Sequence, residues 1–384
     1  MPLIEPFQKK YGPESYAYPL DEAMLRVSDC LRAVAPGLSD GVVPNDSFER
    51  LLEISDLLPY TTGGIIECHL SHPKNVDLAV RVMAKPLERD ALAGTHPTLI
   101  YPCQLFASPI WSRIRTFAQQ WQEDGTPVNH RVYNVWLEFD THLPHAVVTP
   151  CVFFDTGWMQ SVSEPSGPAQ EVDWIVETAN LLAGQDFGKQ TAANLERCVR
   201  LLPDAATLRY VGIMSSRPQA GIRLAISGLT FTNLSAYLAA IGWLDWTPAL
   251  AETIALPDLP GARFMLDVDV GSRLGSVLGL EVSFAEGPHH TYHWHQLLEA
   301  CINKGIITPS LLPALLIWPG LSTAKTTSGQ WPPRLAHVTR HIVRRLNHLK
   351  LIYRSEEPVR AKAYLYFGGL NDSALVRKER GVIP

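Results

Sequence analysis

Arg360-Ala361-Lys362-Ala363-Tyr364-Leu365-Tyr366-Phe367 alternates a polar or aromatic side chain with an apolar one at every step. Successive residues of a strand face opposite ways, so Ala363, Leu365 and Phe367 form one face. Lys362, Tyr364 and Tyr366 form the other. The same division recurs along the chain in pairs of short stretches separated by turn residues, which predicts hairpins. The pairs are 63–70 with 76–83, 133–140 with 146–154, 208–215 with 221–228, 263–270 with 279–284, and 348–354 with 360–367.

Helical patterns fill the intervals, at 20–34, 47–58, 109–122, 169–182, 192–202, 233–241, 248–255, 291–304, 308–316 and 334–347. Pro109 after Ser108 is a helix-start signal. The order is helix, helix, strand, strand, five times over, with one clear helix in the second unit. No change of composition marks a linker, so residues 1–384 read as a single domain with extensions at 1–19 and 370–384. The Gly/Pro/Ser/Thr-rich stretch 321–333 reads as a long loop.

Hydrophobic residues make up 46% of the 384, and charged residues 18%, which is ample for a large core. The net charge is −5, with no basic run, so nucleic acid is not an expected partner. No stretch approaches the ~20 apolar residues of a membrane span. The N-terminus lacks a signal-peptide pattern. Cys30, Cys68, Cys103, Cys151, Cys198 and Cys301 are scattered without a CxxC pair. They read as buried, reduced thiols, and the location expected is the cytoplasm.

Sorting each strand by parity puts charged residues on one face throughout. Glu67 and His69 share that face with Asp77 and Arg81, then Asn134, Trp136, Glu138 and Asp140. Arg223, Asp267, Asp269, Glu281, Lys350, Arg354, Lys362, Tyr364 and Tyr366 follow on later strands. Amphipathic helices must cover the opposite, apolar face. An open sheet would turn the polar face to water and leave two edges to protect. A closed sheet of ten strands would enclose a chamber, and aromatic rings on the polar face suit a ligand better than bulk water. The fold class expected is therefore α+β, an antiparallel ten-stranded barrel surrounded by helices.

Five helix–helix–strand–strand units over roughly 20–367 resemble the ABBA-type aromatic prenyltransferases, whose fold is the PT barrel. The strand Lys362-Ala-Tyr364-Leu-Tyr366 is similar to the Lys-x-Tyr pattern of the indole prenyltransferases. So is Glu67 on the first strand followed by Arg81 on the second. The resemblance implies that Glu67 binds the acceptor's N–H and takes its proton. It implies that Arg81, Arg223, Lys350 and Lys362 bind diphosphate, and that Trp136, Tyr364 and Tyr366 shield an allylic cation. It implies a prenyl diphosphate donor and an aromatic or peptide acceptor. The third strand departs from the family, reading Trp136-Leu137-Glu138-Phe139-Asp140 where Lys-x-Tyr is usual.

Three readings stay open. Prenyl transfer requires at least three cations at one barrel end, capped by tyrosines. A different natural-product enzyme, a cyclase or lyase, would use an acidic chamber of Glu138, Asp267, Asp269 and Glu281. A non-catalytic peptide-binding barrel would have its chamber plugged. For those acids the resemblance implies Mg²⁺ bridging to diphosphate, as in the Mg²⁺-dependent members of the fold, and the alternative is a cationic substrate or an Arg/Lys-bearing peptide. His289 and His293, spaced i, i+4, read as a polar loop and first helical turn, not a metal site. His337 and His341 read as a solvated helix face.

Overall fold

The computed structural model describes residues 25–369, apart from 59–60, 62, 72–74, 98–100, 142–147, 157–167, 218–220, 244, 246, 286–289, 328–329 and 338–340. Its strands are β1 (Gly63–His69), β2 (Val76–Met83), β3 (Asn134–Phe139), β4 (Cys151–Asp155), β5 (Thr207–Ile213) and β6 (Ile222–Ser227). Then come β7 (Ala262–Val270), β8 (Leu274–Phe284), β9 (Gly320–Thr323), β10 (His341–Arg354) and β11 (Arg360–Gly369). Every pairing is antiparallel, and β1 to β8 follow one another in chain order. β10 adds to β8, β11 adds to β10, and β11 pairs back onto β1. Ten strands thereby close into a barrel, and its parity is the one the alternation predicts. β9 lies outside the ring, paired with the first residues of β10.

The outer face carries the core. Leu224, Leu266, Val268, Leu280, Val282, Leu349 and Leu351 are fully buried under the surrounding helices. Burying each such side chain is worth about 1.5–3 kcal/mol relative to exposure. The helices begin where the sequence supplies caps. Thr230 accepts from the Asn233 amide, and the Asn233 side chain returns the bond, a capping box that starts Phe231–Ile241. That helix ends on Gly242 at φ 81°, a left-handed position that only glycine adopts without cost. Thr247 caps Pro248–Ala255, whose proline occupies the first turn. Trp111, Trp121 and Trp243 are buried in the core; Trp158 and Trp246 lie outside the described residues.

Several expectations are corrected. Residues 341–347, read as the end of a helix, are the first half of β10. His341 therefore opens a strand, and no helix face pairs it with His337. The stretch 321–333 is not wholly loop, since it enters through β9. The second unit has more than one helix: Pro86–Ala93 precedes Pro109–Gln122. Five of the six cysteines are buried, but Cys103 is exposed. Among the described residues no helix is long and apolar enough to cross a membrane.

Candidate active site

The lumen is built in levels by register. His69 faces Lys362 across β1 and β11, Glu67 faces Tyr364, and Ile65 faces Tyr366. Near the mouth the lining is charged; deeper it is aromatic. Two adjoining cavities occupy the charged end. One of about 390 Å³ touches His69, Asp77, Asp140, Asp269, Arg354 and Arg360. A narrower one of about 90 Å³ lies among Glu67, Glu138, Asp267, Lys350 and Tyr364. Arg217, Arg223 and Lys362 line both.

Lys350 and Lys362 stand directly opposite in register. Like charges so placed repel, and each lysine turns to carboxylates on its far side. Lys362 bonds Glu67. Lys350 bonds Asp267 and lies 3.2 Å from Glu281. To reach Asp267 on β7, Lys350 must cross β8. It crosses at Gly279, where a Cβ would come within 2.6 Å of the lysine Cε and 3.0 Å of the Asp267 Cβ. The glycine is therefore a gap in the wall rather than a turn residue.

The two arginines are likewise paired. Arg223 holds Asp269 through two bonds of 2.7 and 3.0 Å. Arg217 bonds Asp140 at 2.6 and 3.0 Å and Glu138 at 2.9 Å. Ser216 also donates to Asp140. Such two-pronged bonds fix a guanidinium in one plane.

Acids outnumber cations at this end, and their protonation follows. Burial and the neighbouring Glu67 and Asp140 charges push the Glu138 carboxyl up to about 7, against Arg217. Burial and Glu281 push Asp267 up to about 6, against Lys350. Each of these acids shares its cation with another carboxylate, Glu138 with Asp140 on Arg217 and Asp267 with Glu281 on Lys350. Burial also raises Glu67, but the Lys362 ammonium and His69 together hold it well below the usual carboxylate range. Arg223 lowers Asp269 against its burial. Burial, with Lys350 nearby, pushes His348 down to about 3, so the ring is neutral. It stacks on Tyr364 with centroids 3.8 Å apart.

The deeper level is aromatic. Ile65, Ala79 and Tyr364 pack together with Trp136 and Tyr366. The Arg81 guanidinium sits over both rings, 5.6 Å from the Trp136 centroid and 5.9 Å from Tyr366. Those faces are thus turned toward positive charge.

The structure brings Arg223, Lys350 and Lys362 together with Glu67, Glu138, Asp267 and Tyr364 around the narrow cavity. Asp269 lines the wider one, and Glu281 reaches the group through Lys350. Arg81, Trp136 and Tyr366 sit deeper and touch neither cavity. Arg81 is four residues along β2 from Asp77, roughly 13 Å at the rise of a strand. Arg217 was missed, because it lies beyond the end of β5 with no alternation to reveal it. The excess of acids on the inner face, above all Glu138 with Asp140, is the signal that a further cation was required. His293, expected in a helix start, stacks on Phe284 within His290–Asn303, and His289 lies outside the described residues. Among the described residues the single cluster with the spacing of metal donors is Glu67, His69 and Asp77.

No protein-family model matches the chain, and no curated protein matches it in sequence. Among solved structures it is similar to the 5-dimethylallyltryptophan synthase of Streptomyces coelicolor, at 13% identity, 88% of this chain, 95% of that chain and a TM-score of 0.44. It is similar to the prenyltransferase PriB in its apo form, at 12% identity, 88% and 94% coverage and a TM-score of 0.48. It is similar to AnaPT of Neosartorya fischeri, at 11% identity, 96% and 99% coverage and a TM-score of 0.47. The closed ring of ten antiparallel strands inside a helical shell is a PT barrel.

Proposed function

We propose that the barrel transfers an allylic prenyl group from a diphosphate donor to an aromatic acceptor held in the lumen. One observation carries the reading: Arg217, Arg223, Lys350 and Lys362 converge on one narrow cavity that an aromatic wall adjoins. A leaving diphosphate needs several fixed cations. An allylic cation needs ring faces and the exclusion of water. Tyr364 stands beside the cations, and Trp136 with Tyr366 lies one level deeper. The position of Arg81 over two of these rings supports their use as a cation-holding surface.

Glu67 is the proposed proton acceptor. It is buried and held ionised, so it can take the proton that the acceptor loses on alkylation. Incoming diphosphate competes with the carboxylates for their cations. Glu138 and Asp267 yield most readily, because a proton neutralises each near pH 7 and 6. Asp77, Asp140 and Asp269 at the mouth suit the ammonium of an amino acid or of a peptide acceptor. Six free cysteines fit a reducing compartment such as the cytoplasm.

A second reading rests on charge. Seven lumen acids face six Lys and Arg side chains near the mouth, and two of those, Arg354 and Arg360, pair with Glu357; the balance left to the lumen favours a cationic ligand and an acid–base reaction of the cyclase or lyase kind, or simple binding of a basic peptide. Calorimetric titration with dimethylallyl and geranyl diphosphate, with and without Mg²⁺, separates the two. Saturable binding that Lys362→Ala abolishes supports prenyl transfer. No binding under any condition sinks it and leaves the cationic ligand.

A further inference from the structure

Glu67, His69 and Asp77 lie where β1 and β2 leave the barrel mouth, each on the inward face. His69 Nε2 is 3.0 Å from Asp77 Oδ2 and 3.5 Å from Glu67 Oε1. All three donor atoms fall within 4.8 Å of one another. Ligands bound at about 2.0–2.2 Å to one tetrahedral or octahedral ion stand roughly 2.9–3.5 Å apart. Both separations from His69 therefore match those of ligands on a single ion, and the two carboxylates lie within 4.8 Å of each other.

We propose that this cluster binds one divalent transition-metal ion. An imidazole with two carboxylates suits zinc, manganese, iron or cobalt better than magnesium, which prefers oxygen alone. The supporting shell is in place: the Thr141 amide donates to Asp77 Oδ1 at 2.9 Å and turns Oδ2 toward His69. The entry path is in place too, since His69 and Asp77 line the wider cavity and His69 keeps about 20% of its side-chain surface open.

Lys362 is the competitor. Its ammonium occupies the Glu67 oxygen that faces His69. An arriving ion takes that oxygen and repels the ammonium, so Lys362 is released toward the narrow cavity it also lines. Metal binding would convert a lysine tied to a carboxylate into one available to an anion. The release step, unlike the metal site itself, rests on the proposed diphosphate function.

The test is titration of the purified chain with Co²⁺, followed by its visible absorption bands, and with Mn²⁺ by calorimetry. Saturation at one ion per chain is expected. His69→Ala and Asp77→Asn should each weaken it by about tenfold or more. Lys362→Met should tighten it, a change that a purely structural His69 bridge between two acids would not produce. Far-UV circular dichroism of each variant separates lost ligation from lost folding. Absence of saturable binding in the wild type, or unchanged binding in a folded His69→Ala, overturns the site. Inorganic pyrophosphate added with and without Co²⁺ tests the release: affinity that does not rise with the ion overturns it. Donor binding that persists without any metal affinity would end this inference and leave the prenyl reading standing.

Discussion

The two faces of the same strands do different work. On the outer face of β7, Leu266 and Val268 are fully buried among apolar neighbours under the helices. On the inner face, Asp267 and Asp269 alternate with them and meet Lys350 and Arg223. Apolar burial gives a gain at every position. A buried ion pair roughly cancels its own desolvation, so it stabilises little while costing much when broken. The outer face holds the barrel together. The inner face is arranged at small net stability, and that makes it adaptable to a ligand.

The contrast breaks most visibly at Leu266. Leu266→Ala should destabilise the chain by about 2–5 kcal/mol, read by guanidinium unfolding, because it opens a cavity in a packed layer. Asp267→Ala, one residue away, should cost less, about 1–3 kcal/mol. Glu281 remains 3.2 Å from the Lys350 ammonium and keeps part of its pairing. The double change Asp267→Ala with Lys350→Met should recover much of that loss, since both buried charges then go together. If the double change proved as costly as Leu266→Ala, the division of labour between the faces would fail.

Gly279→Ala sharpens the point at a position with no charge at all. The added methyl would meet the Lys350 Cε at 2.6 Å and push it off the crossing to Asp267. A loss of about 1 kcal/mol is expected, the low end for overfilling a packed site, because the lysine's far end can move. Its larger mark should be a loss of the diphosphate binding proposed for Lys350. Unchanged binding in Gly279→Ala would show that the reach across β8 is incidental.

Most of the barrel was legible because a half-buried strand writes its two faces into alternation. Lys362, Tyr364 and Tyr366 could be assigned to one side from β11 alone, and the register with β1 agrees. The alternation failed where the strand itself is irregular. In β10 the register slips between Leu346 and His348, leaving Asn347 exposed. The buried apolar residues on the outer face run Ile342, Leu346, then Leu349 and Leu351, and the step of three from 346 to 349 imitates a helix. The pairing within the site was not legible at all. Parity placed Glu138 and Asp140 inside, but it could not supply Arg217 from the turn after β5, nor choose which acid each lysine takes. Those choices depend on cross-strand reach, which a single strand's sequence does not encode.

The smallest expected effect on stability is the most direct probe of the lumen's charge. Glu138 has its pKa raised to about 7 and Asp267 to about 6, so both are charged at pH 8, and at pH 6 Glu138 is mostly neutral while Asp267 is about half so. An anion entering between Arg217, Arg223, Lys350 and Lys362 meets less repulsion as these acids take up protons. Pyrophosphate affinity should therefore rise as pH falls from 8 to 6, with each linked proton contributing up to about tenfold per unit. Glu138→Gln removes one titration and one negative charge. It should bind pyrophosphate more tightly than the wild type at pH 8, and the advantage should shrink toward pH 6, where Glu138 is itself protonated. The titration of pyrophosphate is common to both proteins, so comparing their calorimetric profiles cancels it. Parallel profiles would mean that the anion does not displace Glu138 from Arg217. The four cations would then be structural, and the lumen's acids would be free to act on a cationic ligand.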